Sequence, residues 1–157
     1  KLFDEKGYED MCPSEKVIYL QPGYLKFGRT TGHNTSIRLP KLNLDAASDI
    51  NVEFDFAAMI QGDGTVDDVK LVVVVEGDGE FANGTKYSDP ITQNQGKDEL
   101  FWTHAKTTVK GATANTRLVI VMYRVLEGYE TAAYTGNYKY NVSGAGRFFL
   151  DNIKISK

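Results

Sequence analysis

The chain reads as all-β, an antiparallel β-sandwich, on three observations. Apolar residues recur with a period of two in short runs. Turn-forming Gly, Pro, Asn and Asp punctuate those runs at short intervals. No stretch between the runs carries helical periodicity, so a fold of strands alone is expected.

The strands follow in order. Val17 to Leu20 and Tyr24 to Phe27 flank the turn Gln21-Pro22-Gly23, and Ser36 to Leu39 alternates before Pro40. Ile50, Val52, Phe54 and Phe56 alternate with Asn51, Glu53 and Asp55, the pattern of a strand with one face on a core and one in water. Val69 to Val75 is apolar on both faces and predicts a central strand. Leu100 to Val109 and Arg117 to Tyr123 come next, separated by Gly111-Ala112-Thr113-Ala114-Asn115, and Arg147 to Ile155 is the last strand. Gly77 to Asp98, rich in Gly, Asn, Gln and Asp, reads as a loop excursion. Glu127 to Gly146 is too long for a hairpin turn and carries Tyr129, Tyr134, Tyr138 and Tyr140. Such a segment is either a ligand-binding loop or an added hairpin, Tyr138 to Val142, at a sheet edge.

A length of 157 residues predicts a single domain over 1–157 with one core. The net charge of -3, with no Lys/Arg cluster, argues against a nucleic-acid or anionic-membrane partner and suits a neutral ligand. No apolar run approaches a membrane span, so no membrane insertion is expected. Cys12 is the lone cysteine and leaves the redox compartment unread. Sequons at Asn34, Asn83 and Asn141 carry little weight, because such triplets arise by chance in Asn- and Thr-rich loops. Lys1 is no initiator, which predicts a mature or trimmed chain.

Two segments carry candidate chemistry. In the last strand, strict alternation puts Phe149, Asp151, Ile153 and Ile155 on one face, read as buried, and Phe148, Leu150, Asn152 and Lys154 on the other, read as solvated. A carboxylate on a buried face must be paired, hydrogen-bonded or metal-bound, so Asp151 is either a metal ligand or a fold-locking acceptor. Trp102, the lone Trp, has two readings: a platform on which a sugar ring stacks, or an aromatic capping the core from one end, the reading favoured by the area a large ring buries. Tyr24 and Phe27 fall on opposite faces, with Phe27 inward. Asp63, Asp67 and Asp68 lack EF-hand spacing and read as a solvated turn. His33 and His104 have no identifiable partner in sequence, and no catalytic motif is present, so no enzyme is expected.

Taken together, Leu2-Phe3-Asp4-Glu5, Pro22 to Gly28, the Ile50 to Ala58 strand, Trp102 leading into Gly111-Ala112-Thr113-Ala114, and Arg147 to Ile155 resemble a group of secreted Bacteroidetes domains. Those look like galactose-binding-like jelly rolls, the architecture of many carbohydrate-binding modules. The resemblance implies a C-terminal module of a larger exported, often lipoprotein-associated, parent at the periplasmic, outer-membrane or extracellular surface. It also implies a structural calcium between the chain's opening and its last strand, held by Asp151 with Asp4 and Glu5.

The function expected from residues and resemblance together is non-catalytic binding of a polysaccharide or glycan. Tyr129, Tyr134, Tyr138, Tyr140 and Trp102 would stack on sugar rings, with Arg124, Asn137 or Glu127 as polar contacts. The alternative is a structural domain docking on adjacent domains of its parent or on a partner, suggested by the two-faced apolarity of Val72, Val74, Ile120 and Met122. A small glycan hydrolase is a third reading, because carboxylate pairs are judged by their separation in space, which sequence does not give.

Overall fold

A computed structural model describes residues 5–11, 18–27, 36–60, 70–92, 101–122 and 146–157. Apart from a helical residue at Glu5, their regular elements are strands: β1 (Glu9–Asp10), β2 (Ile18–Gln21), β3 (Tyr24–Phe27), β4 (Ser36–Arg38), β5 (Ser48–Ile60), β6 (Lys70–Glu76), β7 (Glu80–Phe81), β8 (Ile91–Thr92), β9 (Thr103–Ala112), β10 (Arg117–Met122) and β11 (Gly146–Ser156). They form two antiparallel sheets, one ordered β1-β4-β10-β6-β8 and the other β2-β3-β11-β5-β9-β7. From β3 onward every successive strand lies in the opposite sheet. That alternation makes the sandwich a jelly roll, in which nearly all pairing is between segments distant in sequence.

The core lies between the sheets. Ile50, Val52, Phe54 and Phe56 of β5 point inward and are at most 1% exposed, as their alternation requires. They meet Phe27, Phe148 and Leu150 of the same sheet and Ile37, Val73, Leu118 and Ile120 of the other, all equally buried. Where a backbone must turn tightly against another, glycine is required: Gly77 has φ +79, and a Cβ there would lie 2.3 Å from the Asn115 carbonyl oxygen.

The expected strands are present within a residue or a few of their boundaries. The Gly77 to Asp98 excursion additionally holds the two-residue strands β7 and β8, and Ser88 ties it to the edge of β6, its Oγ accepting the Val73 amide at 3.0 Å.

The five-stranded sheet answers the question posed by its apolar runs. Its outward face carries Val72 and Val74 of β6 and Val119 and Val121 of β10, all 0% exposed, with Met11 beside them at 3%. Arg38 and Glu76 stand on the same face. Arg38 Nε and Nη2 donate to the two Glu76 carboxylate oxygens at 2.6 and 2.8 Å, and Nη1 donates to Glu9 Oε2 at 2.6 Å. Arg117 Nη2 adds the Glu9 Oε1 contact at 3.2 Å. The Arg38 guanidinium holds the Glu9 carboxyl below its usual range. Ile120 belongs to the inward face, where it is also 0% exposed.

Candidate functional site

The last strand does not keep strict alternation, and this places the site. Asp151 pairs with Asp55 and Lys154 with Glu53, so β11 uses three steps where β5 uses two. The extra residue is a β-bulge, and Asn152 within it has φ 50, the left-handed region that Asn tolerates better than most residues. Before the bulge Phe148 and Leu150 point inward; after it Ile153 and Ile155 do. The expectation that Phe149 and Asp151 share the buried face is therefore overturned, as is the expectation of a solvated Phe148 and Leu150. Asp151 faces outward, half-buried, and its Oδ1 accepts the Asn152 amide at 2.8 Å.

The outward face of the six-stranded sheet gathers an aromatic group. Trp102 precedes Thr103, which pairs with Phe56, so Trp102 comes level with Ala57, and Ala57 pairs with Phe149. The Tyr24 ring meets Phe149 edge-on at 5.8 Å between centroids and Trp102 at 6.4 Å. Trp102 is 49% exposed, which corrects the reading that it caps the core. It stands on the outside of the sheet. The methyl of Ala57, 0% exposed, leaves the space across which Tyr24 and Trp102 meet.

A polar group lies beside the rings. Asn152 Nδ2 donates to Asp55 Oδ2 at 2.8 Å, and His104 Nδ1 lies 2.8 Å from Asp55 Oδ1. His104 Nε2 lies 3.2 Å from Glu53 Oε1. Both ring nitrogens face carboxylate oxygens, an arrangement completed only by the imidazolium, which donates from both. Asp55, followed by Glu53, raises the His104 pKa above its ordinary value. Asn152, then His104, holds Asp55 below the ordinary carboxylate value. His104 thus has the partners that sequence did not reveal, because they sit on a strand some fifty residues away.

The bulge also opens space. Pairing of β3 with β11 ends at Leu25–Leu150. Beyond it lies a recess of about 570 Å³ bordered by Tyr24, Asp151, Asn152, Gln21, Lys6 and Tyr8. It brings the chain's opening against the last strand, where calcium was expected. Among the described residues no group of three His, Cys, Asp or Glu side chains is placed to hold an ion, and Asp4, which the resemblance names for that site, lies outside them. Asp151 is engaged with a backbone amide, Glu5 is exposed, and Lys6 contributes an ammonium to the same recess. Asp4, Arg124, Tyr129, Tyr134, Asn137, Tyr138 and Tyr140 lie outside the described residues, as does the hairpin expected at 138–142.

No protein-family model matches the chain, and no curated protein matches it. Among solved structures it is similar to a family 16 carbohydrate-binding module, at 12% identity over 97% of this chain and 86% of that one, TM-score 0.45. It is similar also to the C-terminal domain of EclA, a sugar-binding protein, at 16% identity over 99% and 96%, TM-score 0.46. A third is the K1 cleaved adhesin domain of Lys-gingipain from Porphyromonas gingivalis, at 12% identity over 98% and 85%, TM-score 0.48. At these identities and scores the likeness bears on neither the ligand nor the site residues of this chain. No described helix is long and apolar enough to cross a membrane.

Proposed function

We propose that the chain is a non-catalytic carbohydrate-binding module of an exported or cell-surface protein, and that it holds glycans on the outward face of its six-stranded sheet. One observation carries the reading. Among the described residues the large exposed apolar side chains are Phe101 and Trp102, and Trp102 stands against Tyr24 beside a hydrogen-bonding group of Asp55, Asn152 and His104. Rings offering an apolar surface, next to fixed donors and acceptors, suit the CH faces and hydroxyls of a sugar. The charges around Glu53 and Asp55 meet His104, and Lys106 and Lys154 both pair with Glu53 in register, which favours a neutral ligand.

Two rival readings lose support. A glycosidase needs one carboxyl kept protonated near neutrality, and Asp55, the carboxyl hydrogen-bonded beside the exposed rings, is not that group, since Asn152 and His104 hold it below its ordinary value. A docking domain was suggested by Val72, Val74, Ile120 and Met122, of which Val72, Val74 and Ile120 are already 0% exposed in the single chain.

The test is retention on a panel of insoluble and soluble polysaccharides, comparing the natural chain with Trp102→Ala and Tyr24→Ala. We expect retention that survives high salt, because no large screened charge term is involved, and its loss in both variants without loss of fold. Retention lost only on substituting Tyr129, Tyr134, Tyr138 or Tyr140 would move the ligand to that segment. No retention on any glycan would overturn the binding function.

A further inference from the structure

We infer that the ligand face takes an extended, uncharged glycan chain by its interior, laid across the strands, and not by a terminal sugar. This rests on the binding function proposed above and narrows its ligand class. The argument comes from strand register. Tyr19 pairs with Lys26, Lys26 with Phe149 and Phe149 with Ala57, and Trp102 comes level with Ala57. These outward positions form one row across β2, β3, β11, β5 and β9, perpendicular to the strands. A second row runs beside it: Asp151 pairs with Asp55 and Asp55 with His104, and Tyr24 and Gln21, themselves a pair, carry the row on past the recess.

The two rows differ in chemistry. The first is apolar where Phe149, Ala57 and Trp102 stand, and ends in Tyr19, whose ring lies 5.0 Å from Lys26 Nζ. The second supplies donors and acceptors. Tyr24 joins them by leaning from the second row onto the rings of the first. Neighbouring strands lie about 4.8 Å apart, so five strands span about 19 Å, several sugar rings in length. A single sugar would touch one or two of those strands and leave the remaining outward groups unused. A chain lying along the rows places a succession of ring faces over the apolar row and its hydroxyls along the polar one. Trp102 and Phe101, 49% and 55% exposed, present an accessible apolar surface at the β9 end of the rows.

The experiment is titration of the full chain with β-linked gluco-, manno- and xylo-oligosaccharides of one to six residues. For a series that binds, affinity should rise with each residue added, by about tenfold or more from the disaccharide to the hexasaccharide. Tyr19→Ala should lower affinity for the longest members alone, whereas Trp102→Ala should lower it for all. Equal affinity for the monosaccharide and the hexasaccharide, or loss of binding when one chain end is chemically blocked, would overturn the inference and leave the binding function standing. Failure of every oligosaccharide and every polysaccharide would overturn the binding function and this inference together.

Discussion

The outward faces of the two sheets are built on the same alternating pattern and have opposite fates. On the five-stranded sheet the outward residues are Val72, Val74, Val119 and Val121, aliphatic and 0% exposed, bordered by the Arg38–Glu76 ion pair. On the six-stranded sheet the outward residues Tyr24, Phe149, Trp102, Asp55 and His104 remain partly or largely accessible around a covered Ala57. Branched aliphatic side chains have no hydrogen-bonding capacity to offer a ligand, and their value lies in removal from water. Aromatic rings beside polar groups can stay at a surface, because each ring has an edge or a polar tip that water accepts. One sheet has its outward face removed from water; the other leaves its face accessible.

The comparison breaks most visibly at Val119. Val119→Asp places an unpaired carboxylate on a face with no exposure, and should cost more than about 4 kcal/mol, a large share of the roughly 5–15 kcal/mol that holds a domain. Urea denaturation reads this directly. A midpoint near that of the natural chain would mean that the face is open to solvent, and would restore the docking reading.

The second test concerns the bulge that turns Asp151 outward. Asn152→Gly keeps the left-handed backbone and should stay within about 0.5 kcal/mol, the lost hydrogen bond to Asp55 being offset by relief of strain. Asn152→Val should cost about 1–2 kcal/mol, because a branched side chain resists φ 50. Equal stability of the two variants would mean a regular strand, with Asp151 back on the buried face.

That bulge also marks how far the sequence was legible. Strict alternation assigned Ile50, Val52, Phe54 and Phe56 to the core correctly, because β5 runs evenly through that stretch. The same rule placed Phe149 and Asp151 wrongly, because one added residue reverses the parity of everything on one side of it, and alternation alone does not reveal that residue. The aromatic face was hidden for another reason. Tyr24, Phe149 and Trp102 become neighbours only through strands that switch sheets at each step, so no local motif brings them together. A lone large ring points to a core cap because area burial is its commonest use. Its exposure follows from its place outside the sheet, at a position level with Ala57.

A smaller effect is expected from pH. Because the His104 pKa is raised, its stabilising contribution is complete below the ordinary imidazole value of 6.5 and is lost as pH rises through the higher folded value. The contribution of Asp55, whose pKa is lowered, is present above 3.8 and is lost as pH falls through its folded value. The melting temperature should therefore decline slightly on the alkaline side of 6.5, and His104→Gln should remove that slope. A slope unchanged in the variant would assign the titration to another group.

The smallest expected effect is that of a chelator. A calcium held by Asp151 with Asp4 and Glu5 would stabilise the native chain by mass action, so EDTA should lower the melting temperature, added calcium should restore it and Asp151→Asn should blunt the response. An unchanged melting curve in EDTA, with Asp151→Asn still destabilising, would mean a metal-free acceptor.

The accessible aromatic face is tested most directly through the single tryptophan, because all indole fluorescence comes from Trp102. At 49% exposure it should be quenched efficiently by acrylamide in the free protein, and a bound polysaccharide should shield it while shifting its emission to the blue. Efficient quenching that a retained polysaccharide leaves unaltered would place the ligand elsewhere. A tryptophan inaccessible to acrylamide in the folded, ligand-free chain would contradict the exposed face itself.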